Sequence, residues 1–251
     1  MNEEELLEGR LSELCKKSYE RDIFTFSDFL GLMEQTVLKR ATKGFPAAHI
    51  TLFGGAEGCE RVMARFGNPE ALGWEEPFPI VCLKIEPKSQ KFADALTHRD
   101  FLGALMHLGF RREMLGDIAI FENVGYLFAE EKMAEHILTS LTEVKHTAVT
   151  VSLVEEIPKG RLFRTEAVTV QVQSERLDAV IAKVFSLSRE DAQGYFAKSL
   201  VFVNGAVIES TSYVPKTGDR ISVRTKGRFI YGGPLSLSKK GKINVKVEKY
   251  V

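Results

Sequence analysis

Basic side chains stand at the ends of short apolar elements in the stretch RLDAVIAKVFSLSREDAQGYFAKSLVFVNG, residues 176–205. Arg176 precedes one apolar run, Arg189 follows the helix-capping candidate Ser188, and Lys198 closes the second run. Arg224, Lys226 and Arg228 then leave the alternating strand RISVR. A guanidinium offers a planar fork of donors that matches phosphate oxygens. Helix N-termini add free backbone N–H groups and the positive end of a dipole. Such an array suits recognition of a polyanion by the shape of its backbone. The competing reading is that Arg176 and Arg189 pair with Asp178, Glu190 or Asp191 on the surface, where such pairs are worth ~0–1 kcal/mol.

Charge is distributed unevenly along a chain whose formal net charge is +0. Residues 1–158 hold 17 Lys and Arg against 26 Asp and Glu, and residues 159–251 hold 17 against 8. A basic module on an acidic body points to a nucleic-acid partner for the C-terminal part. No window approaches the ~18 apolar residues of a membrane span, and MNEEELLEGR lacks the order of a signal peptide. Cys15, Cys59 and Cys82 fit neither a disulfide framework nor paired zinc spacing. The expectation is a reduced, cytoplasmic protein with no membrane span.

The elements that must position these cations fall into three parts, with boundaries expected at 1–75, 76–158 and 168–251. Leu6, Leu7, Leu11 and Leu14 predict a helix over 3–20, and Phe29, Leu30, Met33, Val37 and Leu38 a second over 27–39. HITLFGG reads as a strand and CERVMARFG as a short helix. The middle part runs PIVCLKIEP (strand), HRDFLGALMHLGF (helix), DIAIFEN and GYLFAEE (two strands), EKMAEHILTSL (helix) and TAVTVSLVEE (strand). That βαββαβ order belongs to ferredoxin-like and RNA-recognition-motif folds. A short basic linker, IPKGRLFRTEA, leads to two helices and then strands, with a lysine-rich tail at the end. The fold class is α+β.

Within the last part, Leu177, Val180, Ile181, Val184 and Phe185 make one apolar stripe. Ser188 with Asp191 reads as an acidic capping box, and Ala192, Tyr195 and Phe196 bury the second helix. Asn204-Gly205 and Gly218-Asp219 predict tight turns, because these residues tolerate positive φ. The pattern Arg176-Leu177-Asp178, Ser188-Arg189, Ala192, Leu200-Val201, Val203-Asn204-Gly205, Gly218-Asp219 and Ile221 resembles the RNA-binding domain named after ribosomal protein S-four, over residues 174 to about 231. Ser199 departs from that pattern, which has a glycine at the end of the second helix.

THRDFLGALMHLGFRREMLGDI, residues 97–118, resembles the signature segment of the YlmH family of bacterial RNA-binding proteins, and FTFSDFL and ITLFGGAEGCERV resemble its N-terminal segment. The resemblance implies cytoplasmic RNA binding, and a setting on obstructed large ribosomal subunits that carry peptidyl-tRNA. The candidate RNA contacts are then Arg176, Arg189, Lys198, Asn204, Arg224, Lys226 and Arg228. A second cluster comprises Arg99, Arg111 and Arg112, beside His98. It reads either as another RNA contact or as pairing of Arg111 and Arg112 with Glu113 and Asp117. Tyr126 and Phe128 are two apart on a strand and could stack bases, though alternating aromatics favour the core.

Catalytic signatures are missing: no phosphate loop, His-Glu-x-x-His pair or Gly-x-Ser-x-Gly elbow stands in the sequence. His49, His98, His107, His136 and His146 are scattered, so no metal and no cofactor are expected. A pseudouridine synthase is the enzyme alternative, but the only Arg-Leu-Asp belongs to the S-four-type pattern and little chain follows it. A protein-binding scaffold, with a partner for the acidic N-terminal body, is the other. The expectation is a non-enzyme whose partners are structured rRNA, tRNA and the large ribosomal subunit.

Overall fold

The computed structural model describes residues 2–45, 49–155 and 162–250. Helix α1 (Glu3–Arg21) starts on a reciprocal cap: the Asn2 side chain accepts the Glu5 N–H and the Glu5 carboxylate accepts that of Asn2. Its buried Leu11 and Cys15 pack with Val37 and Leu38 of α2 (Leu32–Ala41). A small antiparallel sheet completes this part, in the order β1-β3-β2, from β1 (Thr25–Phe26), β2 (Ile50–Phe53) and β3 (Met63–Phe66).

Two expectations are corrected here. The second helix begins at Leu32, because Ser27 to Leu30 are extended: Ser27 N–H bonds Ala64, and Leu30 bridges Val62. The segment expected as a helix around Met63 is the central strand β3, buried at every position. Periodicity misleads because a strand covered on both faces loses its alternation. Even Arg65 of β3 is buried, its guanidinium lying 5.2 Å from the Phe24 ring centre and 5.1 Å from that of Phe78. It donates to the Glu76 carbonyl and pairs with Glu75.

After the short α3 (Pro69–Leu72), capped by Asn68, the expected βαββαβ order is present. It comprises β4 (Ile80–Pro87), α4 (His98–His107), β5 (Leu115–Phe121), β6 (Val124–Glu130), α5 (Ala134–Ser140), the two-residue β7 (Glu143–Val144) and β8 (Thr147–Leu153). The antiparallel sheet runs β5-β6-β4-β8-β7, with β6, β4 and β8 inside. Phe101 and Leu105 of α4 and Ile137 of α5 cover Leu83, Ile85 and Leu127 on one face.

The other face is also covered at one end. Cys82 and Phe128 pack with Phe29, Cys59 and Met63 of the N-terminal part. The approach is close enough that a Cβ on Gly116 would meet the Phe29 ring at 2.8 Å and Phe128 at 3.0 Å. Arg61 clamps the seam, donating from Nε to the Leu115 carbonyl (2.9 Å) and from Nη2 to those of Phe29 (3.0 Å) and Arg112 (3.2 Å). Residues 1–163 accordingly form one compact unit, and residues 164–251 a second. Phe128 is fully buried, as the core reading requires, and Tyr126 is half-buried beside it.

The second unit packs α6 (Leu177–Val184) and α7 (Arg189–Ala197) on a six-stranded antiparallel sheet. Its strands are β9 (Thr165–Val172), β10 (Val201–Val203), β11 (Ala206–Val207), β12 (Arg220–Val223), β13 (Gly227–Leu237) and β14 (Ile243–Tyr250), ordered β11-β10-β12-β13-β14-β9. Leu177, Val180 and Ile181 are fully buried with Val201, Phe229, Val245 and Val247. The α6 stripe is as expected. The lysine-rich tail is not a tail: β13 and β14 form a long hairpin, and β14 pairs with β9 along its whole length. Residues 157–161 of the expected linker lie outside the described residues, and from Thr165 the chain is strand. Asn204 (φ 50°) and Gly205 (φ 85°) make the predicted two-residue turn between β10 and β11. Ser199 stands in the left-handed region (φ 52°), where a helix end ordinarily takes glycine.

Burial pushes the Cys59 thiol up to about 12, with the Asp117 carboxylate and Cys82 adding to it, and pushes Cys82 up to about 12 as well. The thiolate is the reactive form. Native protein at pH 8 should therefore resist alkylation at both cysteines and react fully once denatured. Rapid labelling of either in the native protein, read by mass spectrometry, would contradict this packing.

Candidate nucleic-acid interface

One buried carboxylate organises the cations of the second unit. Asp178, the second residue of α6, has no exposed surface. It accepts from Arg176 Nε (3.2 Å) and Nη2 (3.1 Å), and from Arg189 Nε (3.2 Å) and Nη2 (3.1 Å). Gln193, one helical turn after Arg189, adds a bond from Nε2 at 3.0 Å. Burial would raise the Asp178 carboxyl, but the bonds from Gln193 and Arg176 and the charge of Arg189 outweigh it and hold the carboxyl below its ordinary value.

The two arginine side chains remain 39% and 44% exposed, so each is gripped on one edge and open to solvent on the other. Arg176 also donates to the Thr211 hydroxyl at 3.3 Å. Pairing and phosphate recognition thus stop being alternatives. The carboxylate neutralises one of two positive charges and fixes the direction of both forks.

The helix ends do less than expected. The Leu177 N–H, first of α6, is already bonded to the Tyr213 carbonyl at 2.8 Å. At α7 the Ser188 hydroxyl accepts the Asp191 N–H at 3.0 Å and donates to the Asp191 carboxylate, so the cap is closed by the chain's own acid. One amide at each helix start is thus already satisfied within the chain, and the positive charge there comes from the side chains.

The other predicted residues are spread along the same unit. Lys198 is exposed at the end of α7, beside Ser199, whose hydroxyl donates to Glu209 at 3.2 Å. Asn204 is committed to structure: its Nδ2 donates to Asp219 at 2.8 Å and its Oδ1 accepts the Arg220 N–H at 3.0 Å. Arg224 and Lys226 are exposed at the turn between β12 and β13. The Arg224 guanidinium lies 5.2 Å from the Phe202 ring centre, and that of Arg228 lies 4.8 Å from that of Tyr250.

In the first unit the three arginines expected as one cluster are apart. Arg99 is exposed and lines an open cleft with His107 and Lys145. Arg111 is exposed and pairs with Glu113 at 3.3 Å. Arg112 lines a different cleft, of about 320 Å³, with Arg10, Glu34 and Arg61. Its Nη1 donates to the Leu115 (2.6 Å) and Gly116 (3.0 Å) carbonyls. Burial, with repulsion from Arg61, brings its guanidinium down to about 10. That side chain is built into the seam. Gln193, Thr211 and Lys145 were missed by sequence reasoning. Only Gln193 left a signal there, standing four residues after Arg189 on one helix face.

Residues 74–157 match the family described as "Putative RNA-binding domain in YlmH". The chain is 31% identical over 228 residues to the ribosome-associated protein quality control protein P2 of Bacillus subtilis, covering 89% of this chain and 86% of that protein. A solved structure, the cell division protein YlmH from Streptococcus pneumoniae, is similar at 20% identity with a TM-score of 0.49, over 61% of this chain and 92% of that one. The extent and identity of the Bacillus match, together with the match of residues 74–157, show that the chain belongs to the YlmH family.

Proposed function

We propose that this protein is a non-catalytic RNA-binding protein that acts on the large ribosomal subunit, contacting rRNA and tRNA there. The observation that carries the reading is the buried Asp178 holding two half-exposed guanidiniums, in a unit with 17 basic against 8 acidic residues over 159–251. Forks aimed and held before binding lose little freedom on meeting phosphate, which suits the fixed backbone of a folded RNA. The name of the Bacillus relative, which describes that protein as ribosome-associated, agrees with such a target.

On this reading residues 168–251 are an S-four-type module, residues 76–158 an RNA-recognition-motif-like part, and residues 1–75 a part of their own. Arg176 and Arg189 are the central contacts at the helix ends, Lys198, Arg224, Lys226 and Arg228 are further contacts on the same unit, and Asn204 shapes the turn. Arg99 and Arg111 remain contact candidates in the middle part, and Arg112 holds the fold there. Cytoplasmic location follows from the ribosomal target.

Three experiments test this. Arg189→Ala should leave the fold intact and weaken binding to a structured RNA by roughly 1–3 kcal/mol. It should also flatten the log–log salt slope by about one unit for each phosphate it no longer engages. Full affinity in that variant would remove Arg189 from the interface.

Asp178→Asn makes the protein more positive by one charge, yet it releases both forks. Affinity for RNA should therefore fall, and stronger binding would show that charge alone matters. The same variant should lose roughly 1–3 kcal/mol of stability at pH 7. A carboxyl held low in the folded state stabilises above its unfolded value, about 3.9, and ceases to as pH falls through the folded value. The stability gap between variant and parent should accordingly close in acid, which chemical denaturation at several pH values measures.

Finally, the intact protein should co-sediment with large ribosomal subunits at low salt, and more so with those that hold tRNA. Protein that stays at the top of the gradient with both present would overturn the ribosomal assignment, as would chemical conversion of an RNA base by the purified protein.

A further inference from the structure

The sheet of the second unit has two faces of opposite character. Val201, Val203, Ile221, Val223, Phe229, Tyr231, Val245 and Val247 are buried in the core that α6 and α7 complete. Strand alternation turns their neighbours Phe202, Ser222, Arg228, Ile230 and Lys246 to the other side, and each of these is half-exposed. Register places Phe202, Ser222 and Arg228 in one row across β10, β12 and β13, and Arg220, Ile230 and Glu248 in the next across β12, β13 and β14. The Arg224–Phe202 and Arg228–Tyr250 pairs cap the strands at the same end of the sheet.

We infer that this face is a second RNA site, one that takes unpaired nucleotides by stacking their bases on the Phe202–Arg224 and Tyr250–Arg228 pairs. The inference rests on the RNA-binding reading above and adds what the Asp178-held forks lack. Those forks present N–H edges without an aromatic ring in their bonding set, which suits phosphate. Here a flat guanidinium lies against a ring, and both ring and guanidinium planes are surfaces on which splayed bases stack. Among the described residues, Arg220, Arg224, Arg228 and Lys246 share the face with Glu248, which pairs with Lys246 at 3.1 Å, so the backbone of a strand laid across these residues meets more basic than acidic side chains.

A second observation points the same way. In βαββαβ RNA binders the open sheet face stacks bases on aromatics, but here Phe128 on that face is fully buried under Phe29 and Cys59. The middle sheet cannot offer that ring to a base without unpacking the core of its own unit. The sheet of the second unit has its aromatic–arginine pairs at the surface.

The test uses the full chain and two probes: a blunt RNA hairpin, and the same hairpin with a short single-stranded extension carrying 2-aminopurine. The extended hairpin should bind about tenfold tighter, with its fluorescence quenched on binding. Phe202→Leu keeps apolar bulk but removes the ring. It should abolish both the advantage and the quench while affinity for the blunt hairpin is unchanged. Arg189→Ala should weaken both probes alike, which separates the two sites. Circular dichroism checks the fold, and if Phe202→Leu does not fold, Tyr250→Leu takes its place. Equal affinity for the two probes, or a variant that keeps the advantage, would overturn the inference and leave the function above standing. Failure of the parent chain to bind either probe would overturn both.

Discussion

A carboxylate with no exposed surface, accepting from two guanidiniums and an amide, is the interaction on which the second unit turns. Its position as the second residue of α6 places it where burial alone would favour the neutral acid, and its neighbours keep it charged instead. The bonds cross from the start of α6 to α7, so they tie the two helices at one end while the apolar stripe of α6 holds them along their length. Fixing the helices also fixes the forks. Local stability and the direction in which charge is presented are thus set by the same interaction, and neither can be altered without the other. A surface pair free to open would supply neither, since its net worth is near ~0–1 kcal/mol.

The first unit solves a different problem, the joining of two sheets. Phe29 and Gly116 meet where only a hydrogen can be accommodated, and Arg61 bonds three carbonyls that the joining would otherwise leave unpaired. Arg112 shares this work, which explains why a basic pair following a helix does not make a basic surface: one of the two side chains points inward to carbonyls. The price of the seam is the sheet face it covers. An RNA-recognition-like topology here therefore carries no base-stacking platform at Phe128.

How much of this was legible in the sequence follows from physics at each place. The βαββαβ order was, because its helices each bury one face and alternate with apolar strands in the required sequence, even though the sheet's second face is covered at one end. Strand β3 was not, since MARF is buried at every position and has no alternation to show. The β13–β14 hairpin was hidden by composition: lysines at its tip and on its open face read as a tail, although Val245 and Val247 between them are fully buried. Arg176 and Arg189 were found from their places at element ends, but their shared anchor was not. Asp178 counted as an exposed competitor because sequence spacing cannot tell a buried carboxylate from a solvated one. Ser199 stood out as a departure from the S-four-type pattern, and its left-handed backbone shows that the geometry survives the loss of glycine.

The opposed charges of the two halves, 26 acidic against 17 basic before residue 159 and 8 against 17 from there on, bear on which surfaces can bind a polyanion. Screening limits such fields to about 8 Å at physiological salt. An acidic unit can then hold RNA only where cations gather locally, and its open cleft sets Arg99 and Lys145 against Asp100 and Glu143. The basic unit has no such restriction, because its cations stand on helix ends, turns and an open sheet face together. Encounter with a polyanion is consequently biased toward the second unit, and acidic surface elsewhere discourages non-specific adhesion. Beyond the amount of charge, the second unit differs in geometry, with forks fixed by Asp178 and rings set against guanidiniums.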